Sequence, residues 1–120
     1  AGSASGADKG RRALGASGED RVAAWYEARG YVIEARNWRC RQGELDLVAR
    51  KGGTIVFCEV KTRSSTAFGA PVEAITAAKR ARLRALAARW LEDAPRAARE
   101  IRFDVASVLA GEIEVLEGAF

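Results

Sequence analysis

Apolar positions recur with helical spacing in two parts of the chain and with strand-like alternation in several others. Val22, Trp25 and Tyr26 form the first helical stripe, which begins at Ser17 and is stopped by Gly30. Ser17 and Asp20 stand at capping-box spacing, although Asp is a weaker reciprocal partner than Glu or Gln. The second stripe runs through Val72, Ile75, Leu83, Leu86 and Trp90. Pro71 suits a first helical turn, so this helix is expected from about Pro71 to Leu91. Lys79 falls along that stripe, whereas Arg80, Arg82, Arg84 and Arg89 occupy the outer positions.

Strand patterns fill the rest. Tyr31–Arg36 reads as a strand, followed by a connection over Asn37–Gln42 in which Arg36, Arg39 and Arg41 cluster. The stretch GELDLVARKGGTIVFCEVK has two alternating or apolar runs around Gly52-Gly53, a strong hairpin signal. With those glycines as the turn, Lys51 pairs with Thr54. Val48 then lies opposite Phe57, Asp46 opposite Glu59 and Glu44 opposite Lys61, all on one face. Leu45, Leu47, Ala49, Val56, Cys58 and Val60 share the other face, which must be covered, and Cys58 is a small buried hydrophobe there. A loop from Thr62 to Ala70 and a charged connection broken by Pro95 flank the second helix. Ile101–Leu109 and Glu112–Leu116 are the last strands, turned at Ala110-Gly111. Two main helices and about five strands make an α/β domain, bordering on α+β, with a mixed sheet. The pattern leaves the strand order open.

Composition narrows the class. The 120 residues suit one domain, expected over residues 17–120 and preceded by a flexible glycine-rich arm over residues 1–16 that carries Lys9, Arg11 and Arg12. A hydrophobic fraction of 48% argues against wholesale disorder. No apolar run is long enough to span a membrane and no export signal is visible, so a cytoplasmic protein without membrane contact is expected. The chain has no histidine and only two cysteines, which excludes histidine-based acid–base catalysis and the usual zinc sites. The net charge is +4, and sixteen of the twenty basic residues are arginine. Arginine forks well onto phosphate, but a coding bias would produce the same excess.

Chemistry must then run on carboxylates, lysine and arginine. Asp46 opposite Glu59 is a like-charge pair that needs compensation, and Lys61 sits two residues from Glu59 on the same face. A divalent cation with hard oxygen ligands, Mg²⁺ or Mn²⁺, matches converging acids, and an adjacent ammonium suits phosphodiester cleavage. Glu19 lies in the first turn of the first helix, on its core-facing side, where it is available to the same centre. Solvated salt links explain the acidic and basic residues equally simply, and helix-end electrostatics alone explain Glu19.

The segments GED at Gly18–Asp20, GYVIEARNWRCRQGELDLVAR, VFCEVKTRSSTAFGAPVEAI, Lys79, RFDV at Arg102–Val105 and Ala119-Phe120 together resemble the YraN-like family of small bacterial proteins. That family is similar to the restriction-endonuclease-like PD-(D/E)xK superfamily and to archaeal Holliday-junction resolvases. The resemblance implies that Asp46 and Glu59 are metal carboxylates, Lys61 the catalytic lysine and Glu19 an additional helix-borne acid. Leu45 stands where the superfamily usually has proline. Glu44 is expected to neutralise Lys61 rather than bind metal. The implied function is a Mg²⁺- or Mn²⁺-dependent endonuclease acting on branched or damaged DNA, with Arg36, Arg39, Arg41, Arg63, Lys79 and Arg80 on the nucleic-acid backbone. A homodimer is consistent with the resemblance, with Trp38 or the residues after Thr66 as interface candidates if exposed. The alternatives are a non-catalytic nucleic-acid-binding module and a protein-interaction domain with a basic surface.

Overall fold

In the computed structural model, which describes residues 18–63, 75–94, 97–109 and 111–120, five strands form one mixed sheet with a helix on each face. Helix α1 covers residues 18–27 and stops before Gly30, whose φ of 89° is accessible to glycine without a side-chain clash. Strands β1 (Val32–Cys40), β2 (Gly43–Lys51) and β3 (Thr54–Arg63) follow as an antiparallel meander. Helix α2 (Ala77–Glu92) crosses over to β4 (Glu100–Leu109), which runs parallel to β3, and β5 (Glu112–Leu116) returns antiparallel. Spatial order equals chain order, β1-β2-β3-β4-β5. A parallel step between sequential strands needs a long connection, and α2 is its core. The expected arm over residues 1–16 and the Ser17 cap lie outside the described residues.

Both faces of the central strands are apolar, and each is covered. Val22, Ala23 and Tyr26 of α1 pack on Leu47, Ala49, Val56, Cys58, Ala106 and Val108. Leu83, Leu86, Ala87 and Trp90 of α2 pack on Leu45, Val48, Ile55 and Phe57. Buried Cys58 belongs to the first layer, as its alternation implies. The hairpin register matches from Lys51–Thr54 through Val48–Phe57 to Leu47–Cys58, with positive φ at Gly52.

Three expectations are corrected. Strand β1 extends to Cys40, so Asn37–Cys40 is strand and only Arg41-Gln42 turns the chain. An edge strand needs one apolar face, and Ala35, Trp38 and Cys40 supply it by packing on the α2 layer. The second helix starts at Ala77 rather than running on through Ile75 and Thr76, and its expected start at Pro71 lies outside the described residues. Thr76 is its N-cap, with extended backbone (φ −71°, ψ 162°), and its hydroxyl accepts from the Lys79 amide at 3.1 Å. Third, Leu45 faces α2 together with Val48, not α1 together with Leu47. Ala35 and Trp38 likewise share the α2 side, with Asn37 between them at φ 52°. Alternation therefore slips on both strands at the same level, around Asn37 and Asp46, and period two no longer holds across it.

A buried carboxylate ties the layers together. Asp104 is fully buried and accepts from Tyr26 Oη at 2.5 Å, from Arg102 Nε at 2.8 Å and Nη2 at 2.9 Å, and from the Gly118 amide at 3.0 Å. It joins α1, β4 and the turn after β5. Burial, then the nearby Cys58 and Asp104, push the Tyr26 hydroxyl far above its ordinary range, so it stays a donor. We predict that Tyr26→Phe lowers the unfolding free energy by about 1–2 kcal/mol. Asp104→Ala, which removes all four of these hydrogen bonds and leaves Arg102 only Tyr31 and Glu117, lowers it by about 3–5 kcal/mol. Urea denaturation checks both, and equal losses for the two variants contradict the network.

Candidate metal centre

The slip at Asp46 builds the site. The paired register of β2 with β3 ends at Leu47–Cys58. Beyond it, the expected pairs Asp46–Glu59 and Glu44–Lys61 do not continue the ladder. Instead Asp46 Oδ2 accepts from the Val60 amide at 2.9 Å, a side chain standing in for a strand acceptor. Glu44 lies opposite Arg39 of β1 and its Oε2 accepts from Arg39 Nε at 2.7 Å, which corrects its assignment to Lys61. Gly18 brings the third acid: it is buried against Thr62 of β3, so close that a Cβ would collide with the threonine Oγ1. That contact presses the first turn of α1 onto the sheet and carries Glu19 with it. One carboxylate oxygen from each of Glu19, Glu44 and Asp46 lies within 4.8 Å of the other two.

Three half-buried like charges perturb one another. Asp46 is pushed up to about 7, first by burial and then by the charge of Glu59, against the pull of the Val60 amide. Burial also raises Glu19, although a hydrogen bond from Asn37 and the charge of Arg36 oppose it. The donor set is all oxygen, hard and anionic, which fits Mg²⁺ or Mn²⁺ far better than a soft thiophilic metal. A cation there would relieve the repulsion that raises Asp46.

A second charged group adjoins the acids on the α2 side. Lys79 Nζ donates to Glu59 Oε1 at 2.7 Å, and Lys61 Nζ stands 3.9 Å from the same oxygen. Burial works against the Lys79 ammonium, but its bond to Glu59 outweighs this and leaves it above the ordinary lysine range. A cavity of about 180 Å³ opens beside them, lined by Glu44, Asp46, Glu59, Lys79 and Arg82 among others. The structure thus groups Glu19 and Asp46 with Glu44, and places Glu59 and Lys79 along the cavity wall with Lys61 3.9 Å from Glu59.

The basic candidates disperse. Arg36 is paired with Asp20, and Arg39 with Glu44. Arg41 sits exposed in the β1–β2 turn. Arg80 lies against the Phe120 ring, its guanidinium carbon 5.9 Å from the ring centre. Arg63 closes β3, but its side chain lies outside the described residues. Trp38, expected at an interface if exposed, is half-buried on the α2 layer, and the residues just after Thr66 lie outside the described residues. Sequence reasoning missed Glu44 as a member of the acid group, and Asn37 and Arg82 around it. The signal for Glu44 was the short Arg41-Gln42 turn, which sets Glu44 across from Arg39 on the β1 side of the strand.

The raised Asp46 has a stability consequence. The folded chain keeps this proton up to about pH 7, whereas the unfolded chain releases it in the ordinary carboxylate range. Between those values the folded state binds the extra proton, so stability falls as pH rises through the window. We predict that Asp46→Asn removes this loss. In metal-free buffer it should melt close to wild type at the acidic end of the window and roughly 5 °C higher above pH 7. Thermal melts across that range check it, and a gain independent of pH contradicts it.

No helix among the described residues is long and apolar enough to cross a membrane. Residues 18–108 match the family model described as uncharacterised protein family UPF0102. A UPF0102 protein of Beutenbergia cavernae is 57% identical over 111 residues, covering 88% of this chain and 94% of that protein. A UPF0102 protein of Frankia alni is 51% identical over 113 residues, covering 90% and 94%. One from Acidothermus cellulolyticus is 45% identical over 125 residues, covering 92% and 95%. With near-full coverage on both sides and the matched region spanning both helices and most of the sheet, the chain belongs to the UPF0102, YraN-like family.

Proposed function

We propose that this protein is a Mg²⁺- or Mn²⁺-dependent phosphodiesterase that cleaves nucleic acid, with branched or damaged DNA as the substrate class. The observation that carries the reading is the convergence of Glu19, Glu44 and Asp46 within 4.8 Å beside a cavity that also holds lysine. The motif resemblance to PD-(D/E)xK nucleases supports it. Glu19, Glu44 and Asp46 would hold the cation, with Glu59 at the cavity wall. When bound, the cation supplies Lewis-acid polarisation of a phosphate oxygen and acidifies a coordinated water.

The protein groups do the rest. Glu59, only 11% exposed, keeps the Lys79 ammonium at the cavity and the Lys61 ammonium within 3.9 Å of its own carboxylate. Lys61 Nζ is the donor that orients the attacking water and offsets charge developing on the phosphate. Lys79 and Arg82 receive the backbone phosphate at the cavity mouth. Arg36 and Arg39, each already paired with an acid, serve mainly to position Asp20 and Glu44. A cytoplasmic site of action and a dimer that presents two such centres to two strands belong to the same reading.

A panel of linear, flapped and four-way-branched DNA, incubated with EDTA, Mg²⁺ or Mn²⁺, tests it. Cleavage is expected only with a divalent metal. Asp46→Asn should reduce it at least about 100-fold, the scale for losing one electrostatic group at a reacting centre. Cleavage that survives both EDTA and Asp46→Asn overturns the mechanism. Salt-dependent binding with no turnover in Mn²⁺ favours a binding module instead, in which the Lys79–Glu59 pair is purely structural.

A further inference from the structure

Three phenylalanine rings form a stack that leads from the core to the surface beside the acids. Phe57, buried between the sheet and α2, lies 5.6 Å from Phe103 at an interplanar angle of 28°. Phe103 lies 5.1 Å from Phe120 at 23°. The Ala119 amide donates to the Phe103 carbonyl at 2.8 Å and fixes Phe120 as the outer, half-buried ring. Phe57, Phe103 and Phe120 share a small cleft with Asp46 and Glu59, so the stack ends next to the candidate centre.

The surroundings of the outer ring are cationic. The Arg84 guanidinium carbon lies 5.5 Å from the Phe120 ring centre and that of Arg80 5.9 Å. Among the described residues, neither arginine has a carboxylate within ion-pair distance, in contrast to Arg89 farther along α2, which pairs with Asp93. Arg80 Nε is buried and has no hydrogen-bond acceptor among the described residues. Arg80 is thus held against the ring, while Arg84 stands exposed beside it.

We propose that Phe120, Arg80 and Arg84 form a stacking site for an unpaired base of a nucleic-acid strand, the base lying on the aromatic–guanidinium surface and an adjacent phosphate meeting the exposed Arg84. A flat π face beside guanidinium groups without a carboxylate partner among the described residues is the combination that single-stranded nucleic acid recognises, and a paired base within a duplex cannot present its face to it. The inference deepens the nuclease reading by naming its substrate as a strand with unpaired bases near the cut. It shares with that reading only the neighbourhood of the acids, so binding measured without metal separates the two.

Anisotropy titrations of the full chain in EDTA, with labelled oligo-dT, oligo-U and a duplex of mixed sequence at two salt concentrations, test it. The single strands should bind tighter than the duplex. Phe120→Ala should weaken oligo-dT about tenfold while leaving the duplex unchanged. Arg84→Ala should lower the single-strand salt slope by roughly 0.7. Phe120→Trp should retain binding, and its added fluorescence should be quenched by oligo-dT; this readout stands even if Phe120→Ala fails to fold. Equal losses on single strand and duplex, no loss with Phe120→Ala, or an unquenched Phe120→Trp overturns the inference. No binding to any of the three probes overturns it together with the nucleic-acid reading. Selective single-strand binding without cleavage in Mn²⁺ upholds it and overturns the nuclease reading alone.

Discussion

A carboxylate occupies the place of a backbone acceptor where β2 parts from β3: Asp46 Oδ2 takes the Val60 amide. Much of the site depends on that exchange. With the ladder released beyond Leu47–Cys58, the two strands no longer hold their side chains in strict alternation, and Leu45 turns to the α2 layer. Asp46 comes to stand where both layers can reach it, Glu19 arriving from α1 and the Lys79–Glu59 pair from the α2 side. Asn37 makes the matching adjustment on β1 with a left-handed backbone and hydrogen-bonds Glu19 from there. Strained backbone of this kind persists where surrounding structure over-determines it.

Two aspartates in this small fold show opposite solutions to burial. Asp104 is sealed in completely, but Arg102, Tyr26 and Gly118 satisfy it, and it fastens α1 to β4. Asp46 is less buried yet faces Glu59, Glu19 and Glu44, and its main compensation is one backbone amide. The first arrangement stabilises the native state; the second weakens it at neutral pH in the absence of a counter-ion. A fold that retains the second needs the reserve supplied by the first and by two apolar layers.

The sheet was largely legible because its signals are local. Gly52-Gly53 fixed the hairpin register, Gly30 ended α1, and the alternation of Ile101–Leu109 gave β4. The site was legible only in part, because it lies where period two fails. Strict alternation carried the β2–β3 ladder on to Glu44 and Lys61, but it ends at Leu47–Cys58. On the β1 side the tight Arg41-Gln42 turn sets Glu44 opposite Arg39 and within the acid group. Helical spacing set Lys79 apart from Arg82, Arg84 and Arg89, which are exposed, but wrongly put the half-buried Arg80 among them. It gave no sign that Thr76 would cap the helix just ahead. Phe120 was invisible as a surface feature because nothing in the sequence says which rings stack across strands far apart in the chain.

The central claim is that acids from α1 and β2 act as one cation site, and direct observation of the ion tests it. Electron paramagnetic resonance of Mn²⁺ titrated into the 120-residue chain above pH 7 reports free and bound ion separately. The account predicts one saturable bound population that competes with Mg²⁺, is lost in Asp46→Asn and is weakened in Glu44→Gln. Mn²⁺ that stays free throughout, or binds Asp46→Asn as well as wild type, would contradict it.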